Sequence, residues 1–131
     1  MSSARLLCRL AGVLSIAMLA PATGFAQNAL WVDVAAALWR SGDGRAHVAV
    51  GFSGTQPTPQ DATASALAQC QGIGGRGCQN LGPVRGCAYI VVGNTRRGVA
   101  YGAGGSPEAA IAFVRAAGAT SWRTPIGGCG R

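Results

Sequence analysis

Apolar positions alternate or run in short blocks that read as strands, and they do so twice. Ala35 to Arg40 and Ala46 to Phe52 flank the Gly/Asp cluster Ser41-Gly42-Asp43-Gly44-Arg45, a hairpin turn between two strands. A helix is expected next. Thr58-Pro59-Gln60-Asp61 supplies an N-cap, a proline at the first helical position and an acid in the first turn; Ala62, Ala66, Leu67 and Cys70 then share one face, and Gly72 marks the stop. In the second passage Ala88 to Val92 and Gly98 to Gly102 flank the turn Asn94-Thr95-Arg96-Arg97. Ser106-Pro107-Glu108 opens a second helix, whose buried face reads as Ala110, Phe113, Val114 and Ala117, with Gly118 fitting its C-terminal cap. Trp122 to Cys129 is left as a closing strand. The pattern is a degenerate duplication of strand, strand, helix. It predicts an α+β fold, a small mostly antiparallel sheet with two helices on one side, and matching Pro59 with Pro107 sets Cys70 opposite Gly118.

The N-terminus follows another rule. Arg5 and Arg9 precede Leu10 to Ala20, an apolar run too short for the roughly 20 residues of a spanning helix but suited to a signal-peptide core. Pro21 and the small residues Gly24 and Ala26 place cleavage before Gln27, so residues 1–26 are expected to leave and 27–131 to form one domain, its core at about 35–129. Cys8 would leave with the peptide. This assigns the protein to the periplasm or the extracellular space, without a transmembrane anchor after cleavage.

Composition then sharpens the picture. Of 131 residues 49% are hydrophobic and only 11% charged, which excludes disorder driven by charge and a coiled coil. The chain from Gln27 onward carries nine Arg, no Lys and four acids, a formal +5, and 19 of its 47 apolar residues are Ala. Such a core is thin for a domain of about 100 residues, and covalent staples are expected. Cys70, Cys78, Cys87 and Cys129 form an even set in an exported chain and read as disulfides. Their spacing lacks the two close pairs of a zinc ribbon, so no metal is assigned. Four cysteines allow three pairings. The most economical joins Cys70 to Cys78 around the Gly-rich loop and Cys87 to Cys129, contributing roughly 2.5 and roughly 4 kcal/mol in the chain-entropy model.

The helix ending Ala68-Gln69-Cys70, the Gly-rich loop to Cys78, Gly86-Cys87-Ala88, Tyr101-Gly102-Ala103-Gly104, Ser106-Pro107-Glu108-Ala109-Ala110 and the terminal Cys129 come in an order that resembles the domain-of-unknown-function family 4189, small exported bacterial domains. The likeness spans about Ala35 to Cys129. The resemblance implies export and a disulfide framework but no reaction. Family members often carry a further cysteine pair after the second helix; this chain lacks it, which fits the duplication and leaves Cys87 with Cys129.

Candidate chemistry is sparse. His47 lies in a strand, remote in sequence from any nucleophile and acid set of the triad kind, and reads as an edge-strand residue. Asp33 and Asp43 as a carboxylate pair for sugar chemistry give way to structural roles, a turn in the case of Asp43. Gly102-Ala103-Gly104-Gly105 lacks the lysine and spacing of a phosphate loop. No catalytic residue and no cofactor is assigned. The arginine excess is the one feature with functional content: Arg76, Arg85, Arg96 and Arg97 are candidates for binding an anionic group or partner, since guanidinium grips phosphate and carboxylate bidentately. The absence of Lys matches a GC-rich codon bias, and export argues against nucleic acid as partner. The expectation is a non-enzymatic binding module for a protein or an anionic cell-envelope component. An inhibitor or immunity-type protein and a small hydrolase using His47 are the alternatives, and the oligomeric state is left open.

Overall fold

The structure, a computed structural model, describes residues 30–130. The segment read as a signal peptide, with its cleavage position, lies outside the described residues. Seven strands and two helices follow in order: β1 Val34–Arg40, β2 Ala46–Phe52, α1 Pro59–Gly72, β3 Gln79–Asn80, β4 Cys87–Thr95, β5 Gly98–Gly104, α2 Pro107–Ala116, β6 Ser121–Trp122 and β7 Ile126–Cys129. All pairings are antiparallel. The α+β class and both helices are as the sequence predicts. The single sheet is not: there are two, ordered β2-β1-β3 and β5-β4-β6, with β7 also on β4. Nor do the helices share one side.

Strand alternation explains the difference. In β1 and β2, Val34, Ala36, Val50 and Phe52 point one way and meet Ala88, Ile90, Tyr101 and Ala103 of the second sheet, forming a core between the sheets. Ala35, Ala37 and Ala49 point the other way and are covered by Ala66 and Cys70 of α1, while Val91 is covered by Ala110 and Val114 of α2. Both faces of both sheets are therefore apolar, and the molecule has four layers, α1, sheet, sheet, α2.

The duplication is real and larger than strand, strand, helix. After α1 the chain returns as β3 to pair with β1, and after α2 it returns as β6 and β7 to pair with β4, so each half is strand, strand, helix, strand. The break between β6 and β7 falls at 123–125, where Pro125 has no N–H to give a ladder. Both helices open on a hydroxyl cap, Thr58 accepting from the Asp61 N–H and Ser106 from the Ala109 N–H, each at 3.0 Å. Both end in the same motif. Gly74 N–H donates to Gln71 O and Gly75 N–H to Cys70 O; Gly118 N–H donates to Arg115 O and Ala119 N–H to Val114 O. Gly74 and Gly118 hold the left-handed positions this motif demands, with φ of 95° and 103°. The stop glycine of α1 is thus Gly74, two residues beyond Gly72.

These caps also reset the match between halves. Cys70 corresponds to Val114 rather than to Gly118, and α1 has an extra turn at its start. The sheet contacts agree. A Cβ on Gly51 would stand 2.4 Å from Ala66 O and 2.6 Å from Cys70 N, and one on Gly102 would stand 2.6 Å from both Ala110 O and Val114 N. Each helix rests directly on a glycine of the second strand. This closeness narrows the covered stripe to Ala110 and Val114, so Phe113, expected inside, is 62% exposed, and Ala117 at the helix end is exposed as well. Gly51→Ala or Gly102→Ala must lift a helix off its sheet. Each should cost about 1–3 kcal/mol, read as a lower urea midpoint, whereas Gly42→Ala, with nothing within 4 Å, should leave the midpoint in place.

The disulfides are Cys70–Cys78 and Cys87–Cys129, the economical pairing, with sequence separations of 8 and 42. The first joins the end of α1 to the start of β3; the second crosses the β4–β7 ladder, where the two cysteines face each other.

Candidate functional site

Two hairpins end side by side. The β1–β2 turn is closed by Ser41 N–H to Arg45 O and Gly44 N–H to Ser41 O, both 2.9 Å, and the β4–β5 turn is formed by Arg96 and Arg97 alone, between the paired Thr95 and Gly98. One hairpin belongs to each sheet. Arg40 ties them: its Nη1 donates to Gly44 O at 2.9 Å and its Nη2 to Arg97 O at 3.3 Å. Arg40, Arg45, Arg96 and Arg97 are exposed and gathered at this end of the molecule. Asp43 is the acid in this cluster. It accepts from the Ser41 hydroxyl and the Arg45 N–H and lies 3.6 Å from Arg45 Nε. The Ser41 hydroxyl first, then the Arg45 amide, hold its carboxyl below the usual carboxylate range.

Of the four arginines singled out in the sequence, Arg96 and Arg97 meet here. Arg85 does not: it precedes β4 while Arg96 follows it, so nine strand residues, about 30 Å, separate them, and its guanidinium lies 4.9 Å over the Trp31 ring. Arg76 is exposed within the Cys70–Cys78 ring. The sequence reading missed Arg40 and Arg45. Their signal was present, since residues flanking a hairpin turn share its tip, but the meeting of two turns 50 residues apart depends on sheet stacking.

His47 sits on the edge strand β2, half-buried, its ring stacked on Trp39 at 5.4 Å and 18°. Its Nε2 is 3.0 Å from Ser41 Oγ, and Ser41 gives its proton to Asp43. The order is therefore acid, serine, histidine, with the serine in the middle. A hydrolytic triad needs the histidine in the middle, free to accept the serine proton. The contact of His47 Nε2 with Ser41 Oγ ties the ring into the hydrogen bonds that brace the turn.

Asp33 has a different part. It is fully buried. Oδ1 accepts from the Val34 N–H at 2.7 Å and the Gly82 N–H at 3.0 Å, and Oδ2 accepts from Asn80 Nδ2 at 2.9 Å and Thr63 Oγ1 at 3.3 Å. Ser53 Oγ accepts from the Asp33 N–H at 2.9 Å. One carboxylate thereby joins β1, α1, β3 and the 81–86 connection. Among the described residues no group of three His, Cys, Asp or Glu side chains is placed to hold a metal ion, and no helix is long and apolar enough to cross a membrane.

Three openings lead into the core between the sheets, one of them a 370 Å³ pocket lined by Val34, Ala88 and Ala103. At the hairpin end a 310 Å³ mouth is lined by Leu38, Trp39, Arg40, Ala46, Arg97 and Val99. Along β2 a 630 Å³ groove runs past Val50, Phe52, Ile73, Val92, Arg123 and Ile126.

Fold and covalent framework define a class: a small α+β domain of two facing halves, stapled by two disulfides, with four of the eight exposed arginines among the described residues where two hairpin tips meet. The chain belongs to the family described as Domain of unknown function (DUF4189), whose model matches residues 34–121. No curated protein and no solved structure matches it. The matched span takes in both helices and the Cys70–Cys78 bridge but stops before β7 and Cys129.

Proposed function

We propose that this protein is an exported, non-enzymatic binding module whose paired hairpin tips engage an anionic component of the cell envelope. The observation that carries the reading is the Arg40 clamp: by hydrogen bonding across the sheets it sets Arg40, Arg45, Arg96 and Arg97 side by side. Four guanidinium groups against one carboxylate make a locally positive surface, and the stapled framework fixes it before a partner arrives, which lowers the ordering cost of binding. Export rests on the basic and apolar pattern of residues 1–26 and on the two disulfides, bonds that persist in oxidising compartments.

Co-sedimentation with envelope fractions and with vesicles with and without anionic lipid provides the test. Binding should appear with anionic vesicles, weaken steadily as salt is raised, and fall about 30-fold in the Arg96→Gln/Arg97→Gln variant, at about 1 kcal/mol per basic residue near an anionic surface. Arg85→Gln, at the far end of β4, should bind as the unaltered protein does. Absence of binding to any anionic fraction at low salt, or equal loss with Arg85→Gln, would sink the reading.

A further inference from the structure

The mouth between the hairpin tips has two chemistries in one opening. Leu38 and Arg40 on β1, Ala46 on β2 and Val99 on β5 project toward the space between the sheets, as their spacing from Ala36, Val50 and Tyr101 requires. The inter-sheet core is not closed at this end. Leu38 is 53% exposed although it lies on the same face as the buried Val34 and Ala36. The floor of the opening is therefore apolar, Leu38, Ala46 and Val99, and its rim is cationic, Arg40 and Arg97. The volume, 310 Å³, is at the small end of ligand sites, which run from about 300 to 1,000 Å³. The larger groove along β2 has a longer apolar floor but a single arginine, Arg123.

We infer that the mouth binds an anionic single-chain amphiphile, its phosphate or carboxylate head held by Arg40 and Arg97 and its first methylenes lying against Leu38 and Val99. Charge complementarity selects the head: Arg40 gives one N–H to Gly44 O and one to Arg97 O, which leaves it three further donors, and Asp43 is already engaged by Ser41 and Arg45. The exposed leucine selects the tail, because covering it removes apolar surface from water. The inference rests on the reading of the hairpin tips as an anion-binding surface and adds that one member of the partner molecule enters the fold.

Calorimetric titration of the disulfide-intact protein with decyl phosphate below its micellar concentration, with inorganic phosphate and with decanol tests it. Decyl phosphate should bind at least about tenfold more tightly than inorganic phosphate, a margin that burial of two methylenes supplies, and decanol should bind more weakly than decyl phosphate. Leu38→Ser, at a half-exposed site that the fold tolerates, should erase the advantage of the tail while binding to anionic vesicles persists. Arg97→Gln should weaken decyl phosphate and flatten its salt dependence, and Ile126→Ser in the other groove should change nothing. Equal affinity for phosphate and decyl phosphate, or for decanol and decyl phosphate, overturns the inference. So does loss of binding in Ile126→Ser with none in Leu38→Ser. If vesicles bind and decyl phosphate does not, the inference fails and the anionic-surface reading stands; if neither binds, both fail.

Discussion

Asp33→Ala should lower the unfolding free energy by about 3–5 kcal/mol, a large part of what a domain of this size has. The carboxylate is fully buried, no cation among the described residues pairs with it, and four donors converge on its two oxygens. Truncation leaves the Val34 and Gly82 amides and one Asn80 Nδ2 hydrogen, whose other hydrogen keeps Thr63 O, without their acceptor in a largely buried site, and each unmet buried donor costs about 1–3 kcal/mol. Asp33→Asn separates charge from geometry. Its amide oxygen can serve one pair of donors, but its NH₂ must then point at the other pair, so the isosteric change should still cost about 2 kcal/mol. Urea unfolding followed by circular dichroism measures both, with a shifted midpoint and an unchanged slope. A loss below 1 kcal/mol for Asp33→Ala would show that the polar hub is dispensable.

Removing the Cys87–Cys129 bridge by a double alanine substitution should cost about 4 kcal/mol, against about 2.5 kcal/mol for Cys70–Cys78. The physical difference is loop length: the separations are 42 and 8 residues, and the longer loop restricts the unfolded chain more. The longer bridge also fastens β7, a four-residue strand that pairs with β4. The shorter bridge starts from Cys70, a fully buried residue on the sheet-facing side of α1. Because Val114 fills the corresponding place in the other half, Cys70→Val/Cys78→Ala should be milder than Cys70→Ala/Cys78→Ala, by the transfer and cavity cost of the missing methyl groups, about 1 kcal/mol. Thermal unfolding of the three variants under non-reducing conditions gives the order. Equal losses for the two bridges would contradict the loop-length account.

Local signals in the chain were strong and mostly correct. Thr58-Pro59 and Ser106-Pro107 started the helices where hydroxyl caps and prolines say they should, and the cysteines paired along the most economical route. The errors share a cause. Gly72 looks like the helix stop, as any glycine after an apolar face does, but the left-handed residue is the glycine whose following N–H can reach back to Cys70 O, and that is Gly74. The size and helical position of Phe113 suggest burial, while the helix lies too close over Gly102 for a large ring beside the Ala110–Val114 stripe. Of the candidate site, Arg96 and Arg97 were legible as a basic turn. Arg40 and Arg45 were not, because nothing local says that two turns 50 residues apart will touch.

What the sequence determined by itself was therefore everything that neighbours in the chain decide: period-2 and period-3.6 segments, caps, turns, the internal repeat, the redox character of four cysteines and the net positive charge. Tertiary structure decided how the two halves meet. Alanine-rich strands are apolar on both faces, so alternation cannot say which face takes a helix and which takes a sheet; the glycines at 51 and 102 admit the helices from outside, and Val34, Ile90, Phe52 and Tyr101 close the inner gap. That choice turned one expected sheet into two. It also buried Asp33 among its four donors and brought both hairpin tips, with their arginines, to one end of the molecule.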